Sequence, residues 1–290
     1  MGVIGIIGGS GLYALDGLED IRPAPVESPF GAPSDVILRG RLGDVELAFL
    51  PRHGRGHTKS PSEINYRANI DCLKRLGVTD ILSLSACGSL REEMTPGDFV
   101  LVDQFIDRTR MRPSSFFGDG VVAHVSMARP TCGRLGKAVQ TALCDLDIPH
   151  HPRGTYLVME GPQFSTRAES ELYRQWGADL IGMTNLPEAK LAREAEICYL
   201  TIGMVTDYDC WNEAHAAVEV GEVLAVLKAN SEKARSLIAA VAPSIAAGQG
   251  EACEAGCDRA LETAIVTPPE ARDPATLGRL DAVAGRVLSR

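Results

Sequence analysis

Apolar and polar positions along this chain fall into blocks whose period changes from one block to the next. Val3-Ile4-Gly5-Ile6-Ile7 is short, β-branched and uninterrupted by charge, and it stops at Gly8-Gly9-Ser10-Gly11. Such a run predicts a buried strand entering a tight glycine loop. Residues 36–41 and 45–50 are two further strand-like runs around Gly43-Asp44, which predicts a hairpin. Ile64, Ala68 and Cys72 recur every four residues with Leu73 and Leu76 beside them, so 63–76 reads as a helix. Residues 81–84, 99–102, 155–158 and 197–205 read as strands, and helical patterns occupy 132–146, 166–176, 187–196 and 217–248.

Strands that alternate with helices predict an α/β fold, and the early hairpin makes a mixed central β-sheet flanked by helices the expected architecture. The pattern changes near residue 250, where Gly248-Gln249-Gly250 breaks the longest helix. We therefore divide the chain into a body, 1–250, and a helical C-terminal extension, 251–290. In the extension Leu277, Leu280, Ala284 and Val287 recur at three- and four-residue steps. That stripe predicts packing on the body or on a neighbouring subunit, with a structural rather than catalytic role.

Composition narrows the function. A chain of 290 residues can bury a core without cross-links. Its formal net charge of -9 argues against broad nucleic-acid binding, so any anion must be met by a local site. No run approaches the length of a membrane span, and no basic stretch precedes the first apolar run. A cytoplasmic protein without membrane contact is expected. The eight cysteines are too sparse for a disulfide framework. The closest pair, Cys253 and Cys257, has no histidine cluster beside it, so no zinc site is predicted and the thiols are expected to be small core residues.

Candidate chemistry lies at the predicted strand ends, where open α/β sheets place ligands. Gly8-Gly9-Ser10-Gly11 offers free backbone N–H groups and a hydroxyl to an anion. It departs from the dinucleotide fingerprint, since Ala14 stands at the final glycine position and no acid occurs at 30–34. Arg52-His53-Gly54 supplies a planar fork and a second donor. Ser85-Ala86-Cys87-Gly88-Ser89 is small and hydroxyl-bearing. Thr206-Asp207-Tyr208-Asp209 places two acids two residues apart, on one side if the strand continues, where they could receive a proton-bearing heterocycle. Taken singly, the glycine loop is a weak signal, an Arg-His pair is more often solvated surface, and the other two segments read equally well as turns. Together they describe an oxyanion at one end of a site and a purine-like base at the other.

These segments resemble the trimeric purine nucleoside phosphorylase superfamily, and within it the branch that cleaves 5′-methylthioadenosine. The resemblance covers residues 1–245 and also rests on Leu90-Arg91-Glu92, Asp103-Gln104-Phe105-Ile106-Asp107-Arg108-Thr109, Glu160-Gly161-Pro162-Gln163-Phe164, Gly182-Met183-Thr184, Pro187-Glu188 and Cys210-Trp211. It implies a phosphate among Ser10, Arg52, His53, Ser85, Ala86 and Thr184, with Met183 behind the ribose. Phe164 would stack on the base, and Asp207 and Asp209 would bind its N7 and amino edges, Asp207 as the catalytic acid. Val220, Val223 and Leu224 would line the methylthio pocket, and His124 would reach a neighbouring subunit's substrate. The implied partners are a nucleoside and inorganic phosphate as co-substrate, in a homotrimer or dimer of trimers, with no metal or organic cofactor.

Ser10 and Ser85 depart from the threonine common in the family but keep the hydroxyl, and Asn185 stands where a less polar residue is usual. Cys132 and Cys198 match cysteines that some members join; in a reducing compartment they are expected to be free. Two rival readings are a phosphorylase of 6-oxopurine nucleosides, whose members carry Asn at the position of Asp207, and a nucleotide-binding module without catalysis. On this reading, Arg52→Ala is expected to raise the phosphate requirement with little change in fold.

Overall fold

A computed structural model of the chain describes residues 2–289 apart from 10, 11, 13, 213–219 and 252, and of 220–224 only the backbone. The first strand, β1 (Val3–Gly8), is followed by the edge strand β2 (Leu18–Ala24) and the hairpin β3 (Ile37–Leu42) and β4 (Val45–Pro51). Helix α1 (Tyr66–Arg75) leads into β5 (Val78–Ser89), the longest strand, and then come β6 (Phe99–Val102) and β7 (Gln104–Asp107). After α2 (Gly133–Asp145), β8 (His150–His151), β9 (Thr155–Val158), α3 (Arg167–Gln175), β10 (Leu180–Gly182) and α4 (Asn185–Glu194) alternate up to β11 (Cys198–Asp207). The long α5 (Val220–Ala247) closes the body, and α6 (Pro274–Arg279) and α7 (Asp281–Leu288) form the extension.

The sheet is mixed, as expected. β1 runs parallel to β4 and β5, and β11 lies parallel along the other side of β5. At the far end of β5, Gly88 and Ser89 pair antiparallel with β10, which continues through β9 to β7. Beyond β11 lie the antiparallel β6 and then β8. The C-terminal ends of β1, β4, β5 and β11 therefore point the same way, and β10 arrives beside them. That convergence positions the site.

Period two along the strands divides the core between two faces. Val3 and Ile7 of β1 and Tyr199 and Val205 of β11 pack with α1, α4 and α7. Ile4 and Ile6 of β1, with Cys198, Leu200, Ile202 and Met204 of β11, pack with α2 and α5. The helices begin where the sequence provides caps. Asn65 accepts from the Ala68 N–H at the start of α1, and Thr166 and Glu169 close a reciprocal capping box on α3.

Strands β2, β7, β8 and β10 were not expected. β2 is exposed along most of its length, so it shows no alternation, and β10 has three residues. The extension packs on the body of its own chain. Leu280 and Ala284 are fully buried in the α1/α4 side of the core, with Leu277 and Val287 against them. Arg286 pairs with Glu196, and Arg75 with Asp281.

Leu280→Ala should lower unfolding stability by about 2–5 kcal/mol, because it leaves a cavity where α6 meets the body. Asp281→Asn, which removes only a partly exposed ion pair, should cost at most about 1 kcal/mol. Denaturant midpoints of the two variants check the contrast; equal effects would mean that the extension is not part of the folded core.

Candidate active site

The segments picked out at the sequence level meet at the C-terminal edge of the sheet. The Arg52 N–H donates to Gly8 O at 3.0 Å, which ties the end of β4 to the end of β1. Ser85 and Ala86 lie near the end of β5, with Ala86 exposed and Ser85 buried. Thr184 is buried and gives its hydroxyl to no helix N–H, so that hydroxyl is available to an anion; the chain then kinks at Leu186, which is extended (φ -120°, ψ 136°), before the regular turns of α4. Ser85 Oγ lies 3.1 Å from Tyr156 Oη. That tyrosine fits only because residue 182 is glycine: a Cβ there would lie 1.7 Å from its oxygen. Ser10 lies outside the described residues.

Arg52 is not a free fork. It is buried, and its Nε and Nη2 donate to the two Glu188 carboxylate oxygens at 2.9 and 3.1 Å. Nη2 also donates to Ser83 Oγ at 2.6 Å and Nη1 to Leu84 O at 3.1 Å. With four of five N–H groups committed, one Nη1 proton remains. Burial opposes the charge on Arg52, but Glu188 outweighs it and holds the guanidinium above its usual pKa. The pair is itself netted into the sheet. Ser83 and Tyr199 donate to Glu188 Oε1 at 2.6 and 2.9 Å, and the Asn185 amide donates toward Ser83, Tyr199 and Thr201.

The expectation that losing Arg52 would leave the fold intact is thus corrected. Its removal would strand a buried carboxylate. Asn185, which had no assigned role, belongs to this network beneath Thr184. Glu188, Ser83, Tyr199 and Thr201 were missed as a unit. Tyr199 and Thr201, polar residues at alternate positions of an otherwise apolar strand, were the available signal.

His53 is half-buried and stacks on His57 with ring centres 4.1 Å apart. Its Nδ1 lies 2.9 Å from Lys59 O, so Nδ1 carries the proton and Nε2 is left as an acceptor. Burial, with Arg52 and His57 adding to it against the pull of the Lys59 carbonyl, pushes its pKa down to about 4.

At the other end, Asp207 accepts from Thr206 Oγ1 at 2.7 Å and from the Asp209 N–H at 2.9 Å. The strand does not continue to Asp209: its φ is +50° and a short 3₁₀ turn begins there. The two acids are gathered by a turn, not by strand alternation. Both flank Gly88, where a Cβ would lie 3.0 Å from Asp207 Oδ1 and 3.3 Å from Asp209 Cβ. Ser170 of α3, absent from the sequence reading, donates to Asp209 at 2.6 Å. Burial, with the charge of Asp207 adding, raises the Asp209 pKa.

Met183 is partly buried beside Gly161, and its carbonyl accepts from Arg112. Phe164 is 70% exposed, with an open ring face. His124 is exposed on a segment held by the extension, where its N–H donates to Ala264 O at 2.9 Å. Val220, Val223 and Leu224 fall on the first turns of α5, and their side chains lie outside the described residues. Four of the eight cysteines form a group. Cys132, Cys198, Cys253 and Cys257 lie together, buried and unbridged.

The fold and this edge match a known family. Residues 3–243 match the family described as the phosphorylase superfamily, and the chain belongs to it. It is 60% identical over 286 residues to the S-methyl-5′-thioadenosine phosphorylase of Cereibacter sphaeroides, covering 99% of this chain and 98% of that one. A Rhodospirillum rubrum enzyme of the same name is also 60% identical, with coverage of 99% and 97%. The solved methylthioadenosine phosphorylase from an antarctic soil metagenomic library superposes with a TM-score of 0.92 at 49% identity, over 97% of this chain and 98% of that one. The Schistosoma mansoni methylthioadenosine phosphorylase with adenine gives 0.79 at 38% identity, over 85% and 93%. The similarity to the two bacterial enzymes and the metagenomic one extends past residue 245 into the extension, beyond the span expected from the motifs.

Arg52→Ala should destabilise the protein by about 3–5 kcal/mol, the cost of an unpaired buried charge, read from urea unfolding. A stability equal to the parent's would show that Glu188 has other means of compensation. His53 predicts an acid effect of definite sign. The unfolded residue protonates near 6.5 and the folded one near 4, so stability is full above about 6.5 and falls as the pH drops toward 4. His53→Gln should flatten that part of the stability profile; an unchanged slope would contradict the burial of a neutral imidazole.

Proposed function

We infer that the chain cleaves the N-glycosidic bond of 5′-methylthioadenosine with inorganic phosphate, releasing adenine and 5-methylthioribose 1-phosphate, a salvage reaction. The observation that carries this reading is the pairing of Asp207 and Asp209 around Gly88, three residues along β5 from Ser85. Three strand residues span about 10 Å. That separation suits a nucleoside with its purine at the acids and phosphate at the hydroxyls.

Phosphate is met by Ser85, Thr184, backbone N–H groups at Ala86 and the glycine loop with Ser10, and the one free Arg52 proton. His53 in its neutral form accepts from the hydroxyl of a monoprotonated phosphate through Nε2. Because Glu188 already balances Arg52, the site holds the dianion through oriented donors more than through net charge. Met183 backs the ribose, and Phe164 supplies a face for the base. Phosphate oxygen attacks C1′ as the C1′–N9 bond breaks, and the bonding electrons pass into the purine. Asp207 enters as the carboxylic acid, gives its proton to N7 and is left as the carboxylate, while Asp209 accepts from the exocyclic amine. No step needs a metal or an organic cofactor.

Val220, Val223 and Leu224 are proposed to line the 5′ pocket. His124 is proposed to reach the substrate of a neighbouring subunit in a homotrimer or dimer of trimers. Among the described residues no helix is long and apolar enough to cross a membrane, which agrees with the proposed cytoplasmic location. The accepting carboxylate of Asp209 beside the acid at 207 suits an amino-bearing ring, whereas a 6-oxopurine presents a carbonyl there.

Base release is followed from methylthioadenosine and from inosine, with and without phosphate. Methylthioadenosine should be cleaved much the faster, and only with phosphate. Asp207→Asn should lower kcat on it by about 10²–10⁴-fold, the usual share of a general acid. Comparable rates on the two substrates would overturn the amino-purine assignment, and turnover without phosphate would overturn the reaction itself.

A further inference from the structure

Four cysteines that are distant in sequence meet on the α2/α5 side of the sheet. Cys132 is the N-cap of α2, Cys198 is the first residue of β11, and Cys253 and Cys257 bracket a turn that opens the extension. All four are buried, and their sulfurs lie within 4.8 Å of one another. Cys132 Sγ is 3.6 Å from Cys253 Sγ, and Cys253 Sγ is 3.2 Å from Cys257 Sγ. A tetrahedral zinc ion with Zn–S bonds of about 2.3 Å needs sulfurs about 3.8 Å apart. The observed spacing falls around that value.

We propose that Cys132, Cys198, Cys253 and Cys257 form a Cys₄ structural zinc site that fastens the C-terminal extension to the catalytic body. Thiolate sulfur in a tetrahedral set selects zinc among the common divalent ions. Binding exchanges four thiol protons for one Zn²⁺ and leaves a net charge of -2 on the ZnS₄ unit. The surroundings suit that charge. Cys132 sits at the positive end of the α2 dipole. The Arg134 guanidinium, two residues from Cys132, pairs with Asp80, and its buried Nε has no hydrogen-bond partner. Arg193 donates to Ala255 O from the body side and fixes the turn between the last two ligands. Gly256 completes that turn with a left-handed φ of +64°, a conformation that glycine adopts without strain, and its N–H donates to Cys253 O at 2.8 Å.

The site has a structural consequence. Cys198 opens the strand that ends at Asp207, and the chain following Cys257 carries Ala264 and Ile265, which hold the His124 segment. One ion would therefore tie three parts of the molecule to a common point. The absence of C-x-x-C spacing hid this at the sequence level, because two of the ligands come from the body.

Protein from cells grown with added zinc, purified without chelator and with thiols protected, is analysed for metal and for thiols after denaturation with a chelator. About one zinc per chain and eight reactive thiols are expected. The Cys253→Ser, Cys257→Ser double variant should lose the metal, whereas Cys144→Ser and Cys210→Ser should retain it. Refolding the unaltered protein with Co²⁺ alone should give the intense charge-transfer and d–d bands of tetrahedral cobalt thiolate, a readout independent of any variant. Eight thiols with no metal and no such spectrum would show an unmetallated thiol cluster and overturn the proposal. Four thiols would show two disulfides in its place and would equally overturn it.

Discussion

Much of the proposed phosphate end of this molecule depends on one buried ion pair, the fork between Arg52 and Glu188. A guanidinium and a carboxylate out of water are each costly alone, so the chain surrounds them with groups that satisfy most of the remaining lone pairs and protons. Ser83 of β5, Tyr199 and Thr201 of β11 and Asn185 of α4 all join that network. The network holds Asn185 and with it the neighbouring Thr184. It also neutralises the arginine before any anion arrives. The anion site we propose relies on such preorganised donors, held in position before phosphate enters.

The same sheet explains why the base end lies where it does. β5 is long enough to pair with β1 and β11 over most of its length and still reach β10 with its last two residues. Gly88 falls at that junction. The absence of a side chain there lets Asp207 and Asp209 close over the strand, with α3 supplying Ser170 to hold the second acid. The extension also holds the segment that carries His124. It is anchored by Leu280 and Ala284 in the core, and its 264–266 segment pairs with 122–124, where His124 lies. A segment expected only to cover apolar surface thus positions a candidate substrate contact.

Local periodicity carried most of the architecture. The β-branched runs of β1 and β11 and the four-residue steps of α1 are each legible within a dozen residues, because each element must bury one face. β2 lacked a readable pattern since it is solvated along most of its length, and β10 is too short to have a period. The candidate site was legible where its residues sit together, as at Thr206–Asp209. It was illegible where function depends on partners far along the chain. Arg52 was recognised as an anion donor, but Glu188, 136 residues away, decides how much of it an anion can use. The cysteine cluster follows the same rule: Cys132 and Cys253 are 121 residues apart, and no spacing reveals their meeting.

We propose that phosphate is received by a framework already neutralised and held in position. The most direct test is a crystal structure of the protein with phosphate bound. Arg52 is expected to keep both Glu188 contacts and to offer phosphate at most its remaining Nη1 proton, with the anion seated against Thr184 and Ser85. A guanidinium swung away from Glu188 to grip phosphate with two parallel hydrogen bonds would contradict it.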